Sequence, residues 1–312
     1  MRKLPLLLVL AGSALLLGVI LAVVLTSEGK QAAPPPPATT TAPPPTSVPQ
    51  TTAPPPPPPP PPPSRAMSWR SAGAFVWHET DIDPAVLGRE MRANGFGWVA
   101  IRVHDGLAAD PVDSSWIDRF RAAGGLPVGG WGVLRDHPQQ EAQLASSLIG
   151  RYGLDFYIAD GEAEYGYSGQ GGPSRVRFAR SGQFVAAFRA LRPDLPAGLS
   201  SYCRPDQHDL DWAAWRGAGF VFLPQAYVGQ LGPAAAPEAC IQGAARFFPK
   251  EDVHPTLATF RGAHASPSPA AYSRMLAQAG TVGFSLYLAE VGMTTQSWQA
   301  YGRAIARLQI AG

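Results

Sequence analysis

A parallel (β/α)8 barrel is the fold class that residues 67–312 predict, and three observations carry that reading. Eight short apolar runs recur along the segment, and each is followed by a polar loop and an amphipathic stretch. Most of those stretches open on a helix-start signal or close on glycine. The length, about 245 residues, suits eight such units, whereas an open doubly wound sheet normally needs fewer. No Gly-x-Gly-x-x-Gly follows the first run, which removes the dinucleotide-binding version of that competitor.

The candidate strands are residues 74–77, 98–103, 127–132, 156–159, 198–202, 220–224, 256–260 and 284–288. The helices between them are expected to begin near Pro84, Ser114, Pro138, Val176, Asp211, Pro237, Pro269 and Thr295. Asp83-Pro84, Asp113-Ser114 and Ser268-Pro269 each pair a side-chain cap with a residue suited to the first turn. Asn94-Gly95, Ala123-Gly124 and Ala279-Gly280 supply the stops.

Two further zones precede the barrel. Residues 4–25 are uncharged and apolar behind Arg2 and Lys3. At about 1.5 Å per residue the run is long enough to cross a bilayer core of roughly 30 Å. It exceeds the usual apolar core of a cleaved signal peptide. Residues 1–29 are therefore expected to be a membrane anchor, with Arg2 and Lys3 inside and the rest of the chain outside the cytoplasm. Residues 30–66 are rich in Pro, Thr and Ala and end in the prolines of 54–63, a composition that buries no core. At about 3.1 Å per residue this stalk would extend on the order of 90 Å.

Charge follows the same division. The chain is +2 as a whole, and residues 1–66 carry Arg2, Lys3, Lys30 and Arg65 against Glu28, so the barrel segment is slightly acidic. That balance gives no electrostatic case for a nucleic-acid partner. Lysine occurs only at positions 3, 30 and 250, so no candidate strand offers an amine for Schiff-base chemistry. Nothing in the pattern specifies an oligomeric state.

Chemistry in such a barrel sits where the strands end. The fourth run, Phe156-Tyr157-Ile158-Ala159, breaks into Asp160, Glu162 and Glu164. In extended chain, positions two apart share a face, so these acids point into one pocket. Like charges crowded together push one pKa up, as acid catalysis of glycoside cleavage requires. The other strand ends contribute His78, Arg102, His104, Trp131, Tyr202, Gln225, Tyr227 and Glu290. Aromatic faces among directed polar groups suit a sugar, which stacks through its ring and bonds through its hydroxyls. A solvated acidic turn and ordinary core aromatics are the structural alternative for the same residues.

Asp160-Gly161-Glu162 closing the fourth strand, with Gln225-Ala226-Tyr227 closing the sixth, resembles glycoside hydrolase family 25, the lysozyme-like muramidases, and related barrel glycosidases. Where that family's first strand ends Gly-x-Asp, this chain has Trp77-His78-Glu79, with Asp81 beyond. The resemblance implies a cell-wall polysaccharide or peptidoglycan substrate and no cofactor. It also implies Glu162 as the general acid with a raised pKa and Asp160 as an ionised partner. That partner stabilises positive charge or orients a substrate acetamide. Glu290, on the strand that closes the ring, is the expected second carboxylate across the mouth.

Two other functions compete. One is a barrel that binds wall glycan without turning it over. The other is a metal-dependent hydrolase using His78, His104 and Asp160, although His-x-His on the first strand is missing. The serines at 200 and 201 have no Gly-x-Ser-x-Gly setting. Cys203 and Cys240 fall just beyond the fifth and sixth strands; outside the cell they are free to pair, and two buried thiols are the alternative.

Overall fold

Alternation along each strand decides what this molecule places inside its barrel and what it turns toward its helices. A computed structural model describes residues 66–165, 175–208, 210–260, 262, 264 and 266–310. The anchor expected over residues 1–29 and the stalk up to residue 65 lie outside the described residues. Among the described residues, no helix is long and apolar enough to cross a membrane.

Eight parallel strands follow in chain order: β1 (Ala72–Val76), β2 (Phe96–Asp105), β3 (Val128–Val133), β4 (Tyr157–Asp160), β5 (Ala197–Tyr202), β6 (Phe220–Ala226), β7 (Thr256–Ala258) and β8 (Phe284–Tyr287). Each pairs with its neighbour in sequence, and β1 pairs with both β2 and β8, which closes the ring. The (β/α)8 barrel expected from the sequence is thus the architecture observed. The helices are α1 (Pro84–Ala93), α2 (Ser114–Gly124), α3 (Pro138–Tyr152), α4 (Arg175–Leu191), α5 (Trp212–Gly217), α6 (Pro237–Ala244), α7 (Pro269–Ala279) and α8 (Thr295–Leu308). Their starts lie within a residue of those read from the caps. Asp83 accepts from the Val86 amide, Asp113 from that of Ser115 and Ser268 from that of Ala271, each satisfying a donor the first turn leaves open.

Two pieces were not anticipated: a strip at Ala108–Ala109 that pairs antiparallel with the end of β2, and a one-turn helix at Val228–Leu231 after β6. β7 stops at Ala258, two residues short of the apolar run that suggested it.

Inward-facing residues form one cluster, made of Phe75, Trp98, Ala100, Trp131, Phe156, Ile158, Leu223 and Leu288. Outward-facing alternates such as Val76, Val99, Ile101, Tyr157, Ala159 and Phe222 join the helix layer in a larger one. Trp69, ahead of β1, meets Trp98 and Phe156 edge-on at 5.7 and 5.5 Å. The big rings fit because glycine faces them: a side chain at Gly73 would overlap Trp98, and one at Gly129 would overlap Phe156.

Candidate active site at the carboxyl ends of the strands

β4 sets the site. Ile158 and Asp160 face the barrel interior, while Tyr157 and Ala159 face the helices. Gly161 continues the outward row, where a side chain would press on Leu199, so Glu162 turns inward again beside Asp160. The register places Ser200 opposite Asp160, and Gln225 opposite Tyr202. Ser200 Oγ donates to Asp160 Oδ1 at 2.8 Å. Gln225 Nε2 donates to Asp160 Oδ1 at 3.2 Å and to Glu162 Oε1 at 2.6 Å. One amide nitrogen therefore ties the two acids, whose bonded oxygens lie no more than about 6 Å apart.

Both acids line a cavity of about 440 Å³, in the range of small-molecule sites. Among the described residues they are its only acidic lining side chains, and aromatic rings make most of the remaining wall. Trp77 meets Trp131 at 6.2 Å, Trp131 meets Tyr287 at 5.9 Å, and Tyr287 stacks on Tyr227 at 5.6 Å with Phe260 edge-on to both. The Trp131 indole is fixed by donating to the Val76 carbonyl at 3.0 Å.

Burial and the nearby charge of Glu162 push the Asp160 carboxyl well above the usual range, while the bonds from Ser200 and Gln225 and the charge of Arg135 pull it back. The upward shift thus falls on Asp160, at the end of β4, where the sequence led us to expect the ionised partner. Burial likewise raises Tyr227 and Tyr287, which keeps their hydroxyls neutral and able to donate.

Several expected site residues are placed elsewhere. Glu290 does not line the cavity. Its Oε1 accepts from the amides of Trp77 at 2.7 Å and His78 at 3.2 Å, so it fastens the loop after β1. Burial raises its pKa, and its Oε2 is buried without a partner. Glu164 turns away to pair with Arg135 at 2.9 Å, and Arg135 also grips Asp105 at 2.7 Å. The acid row therefore ends at Glu162, because the chain enters a 3-10 turn at 163–165. Arg102 is bound twice by Asp110, at 2.7 and 3.0 Å, and lies 5.1 Å over the Trp77 ring. His78 is exposed and stacks on Trp77.

His104 is a correction with a clear cause. The β2–β3 register shifts between Arg102 and His104, and the bulge turns the imidazole out of the mouth. It is fully buried, with Nδ1 2.9 Å from the Gly106 carbonyl and Nε2 2.8 Å from the Tyr157 hydroxyl. The Gly106 carbonyl takes the hydrogen of Nδ1, and burial lowers the imidazole's pKa, which favours the neutral ring with Nε2 accepting from Tyr157. With both nitrogens committed, His104 is free neither for a sugar nor for a metal, and the proposed set of His78, His104 and Asp160 is not assembled. Among the described residues no group of three or more His, Cys, Asp or Glu is placed to hold a metal ion.

Trp131, Tyr202, Gln225 and Tyr227 do line the cavity. Ser200, set aside as a nucleophile, lines it as well and serves Asp160. Gln230 and Leu231, from the short helix after β6, carried no sequence signal, whereas Phe75, Trp77 and Tyr287 follow from counting alternate positions back from each strand end. Cys203 and Cys240 form a disulfide that joins the end of β5 to α6, one residue beyond Tyr202.

No family model matches this sequence, and no curated protein matches it. Solved structures do. A family 18 chitinase from Cycas revoluta, in complex with allosamidin, is similar at a TM-score of 0.56 and 8% identity, over 77% of this chain and 99% of that one. A class V chitinase from Pseudomonas fluorescens gives 0.57 at 11% identity, over 75% and 99%. A chitinase-like agglutinin from Robinia pseudoacacia gives 0.56 at 10% identity, over 74% and 98%. At such identities the likeness establishes the barrel. Membership of the muramidase family considered above is not shown.

Proposed function

We propose that this chain is a glycoside hydrolase acting on a polysaccharide that contains N-acetylated hexosamine, such as chitin or peptidoglycan, with Glu162 as general acid. The observation that carries the reading is the single Gln225 nitrogen bonded to both Asp160 and Glu162 at the floor of an aromatic cavity. The general-acid role draws on a proton held between these two neighbouring carboxyls.

The nucleophile follows from what the cavity wall holds. A two-carboxylate mechanism sets its acids on opposite sides of the bond. Here both lining acids come from one strand end, and Glu290 is engaged with backbone. The substrate's own acetamide supplies the missing partner: its carbonyl oxygen attacks the anomeric carbon as Glu162 protonates the leaving oxygen. With the pair's proton on Glu162, Asp160 is the ionised partner: it accepts from the acetamide N–H and stabilises the positive charge that develops as the ring closes. Gln225 steadies the Glu162 carboxylate that forms. Trp131, Tyr227 and Tyr287 supply the faces and hydroxyls that hold the ring. The similar chitinases solved with N-acetylglucosamine oligomers support this substrate class.

The site would work outside the cytoplasm on a tether. Residues 4–25 have the length and apolarity of a span, residues 30–66 the composition of a stalk, and the Cys203–Cys240 bridge suits an oxidising compartment. The expected result for Glu162→Gln is loss of reducing-end release from chitin oligomers and peptidoglycan, with an unchanged melting curve. Undiminished turnover would remove Glu162 from the mechanism. The agglutinin among the similar structures keeps a second reading in view: tight glycan binding by the unmutated protein, without release of reducing ends, would establish a binding module instead.

A further inference from the structure

Trp77 is the exposed end of the aromatic wall. It is 37% exposed, it lines the cavity, and it reaches Trp131 at 6.2 Å. A surface tryptophan is ordinarily free to swing, and this one is held twice. Its backbone amide donates to Glu290 Oε1 at 2.7 Å, which fixes where the residue leaves β1. Its ring carries the Arg102 guanidinium at 5.1 Å, which fixes how the plane lies. Arg102 in turn cannot wander, because Asp110 takes both Nε and Nη2 in a fork that sets the guanidinium plane. The pair is only partly exposed, with side chains at 16% and 22%.

We propose that Trp77 forms an outer sugar subsite at the exposed end of the cavity and that Arg102 is its positioning residue. The inference rests on the glycan-cleaving reading above and adds where a longer chain is gripped. A sugar ring stacks on one face of an indole, and the ordered plane spares the cost of immobilising that side chain on binding. Arg102, expected from the sequence to touch substrate, acts instead through Trp77. The energy gained here depends on chain length: a short oligomer seated at Asp160 and Glu162 leaves the exposed end of the cavity at Trp77 unfilled, and a longer one reaches it.

The test is a double-mutant cycle on Trp77→Ala and Arg102→Gln, with KM and kcat measured on short and long N-acetylglucosamine oligomers. Arg102→Gln is expected to raise KM for the long oligomer by roughly threefold to fivefold, the scale of an exposed cation–π contact, and to leave kcat on the short one unchanged. In the Trp77→Ala background the same change should add nothing. An Arg102→Gln effect that persists without Trp77, or that is equal for short and long oligomers, would overturn the assignment, since a purely structural role predicts both. If Arg102→Gln melts early, Asp110→Asn frees the guanidinium while keeping it, and must show the same dependence on length. A wild-type protein that neither binds nor cleaves any oligomer sinks the glycan reading itself. Normal cleavage with an additive cycle sinks only the subsite.

Discussion

Gln225→Leu separates the proposed proton-sharing site from a pair of acids that merely neighbour each other. Leucine keeps the volume of the buried side chain and removes the one nitrogen that touches both carboxylates. The 2.6 Å bond to Glu162 is the shorter, and it strengthens as Glu162 gives up its proton and becomes charged. A hydrogen bond to a charged group is worth about 1.5–3 kcal/mol, so its loss in the transition state should lower kcat roughly 10- to 150-fold. The 3.2 Å bond from the same nitrogen helps hold the Asp160 pKa down, so its removal should raise that pKa further and move a limb of the pH–rate profile upward. The assay is kcat and kcat/KM on a soluble chito-oligosaccharide across about pH 4–8, with thermal melts as the check on folding. A folded variant within about threefold of wild type, its pH limbs unmoved, would refute the role given to Gln225.

Asp160→Asn should stabilise the folded protein while abolishing activity. Asp160 has a raised folded pKa, so the unfolded chain loses that proton first. Stability therefore falls as pH rises from about 4, the ordinary aspartate value, through the folded pKa, and remains reduced above it. Asparagine cannot ionise, so its melting temperature should exceed wild type at neutral pH and converge with it near about pH 4; an equal difference at every pH would contradict the burial argument. Glu164→Gln breaks a half-exposed pair with Arg135, so it should cost under about 1 kcal/mol and leave kcat within a few-fold. Loss of all activity would return Glu164 to the catalytic set. Reduction of Cys203–Cys240 should cost about 2–4 kcal/mol in urea melts and slacken the Tyr202 wall, and an unchanged midpoint would show that the bridge carries no stability.

The barrel was legible because its two signals agree. Apolar runs mark the strands, and cap or proline signals such as Asp83-Pro84, Asp113-Ser114 and Ser268-Pro269 mark several of the helix starts between them. Where local chemistry was weak, the boundary moved. Phe260 extends an apolar run beyond Ala258, but its ring belongs to the cavity wall rather than to a ladder. Ala108–Ala109 pairs with β2 by position in the fold alone, with no β-forming residue to announce it.

The site was legible as far as alternation ran undisturbed. Asp160, Glu162, Trp131, Tyr202, Gln225 and Tyr227 all sit where a period of two from the interior places them. His104 obeys the same count in sequence and breaks it in space, because a single bulge after Arg102 changes its face. Glu164 breaks it because the strand has ended and a 3-10 turn has begun. Neither event leaves a mark in composition or motif. Glu290 was misread for another reason: adjacency around the ring was judged correctly, but the acid satisfies the backbone of β1's end instead of facing the mouth. That error reshapes the chemistry. With Glu290 across the cavity, a double displacement on two carboxylates would have been the natural mechanism. With Glu290 spent on Trp77 and His78, the lining acids among the described residues are confined to one strand end, which is why the proposed mechanism takes its attacking group from the sugar. Substrates lacking the 2-acetamido group should therefore bind the aromatic wall and resist cleavage. Turnover of a deacetylated oligomer at the rate of its acetylated counterpart would restore a protein nucleophile.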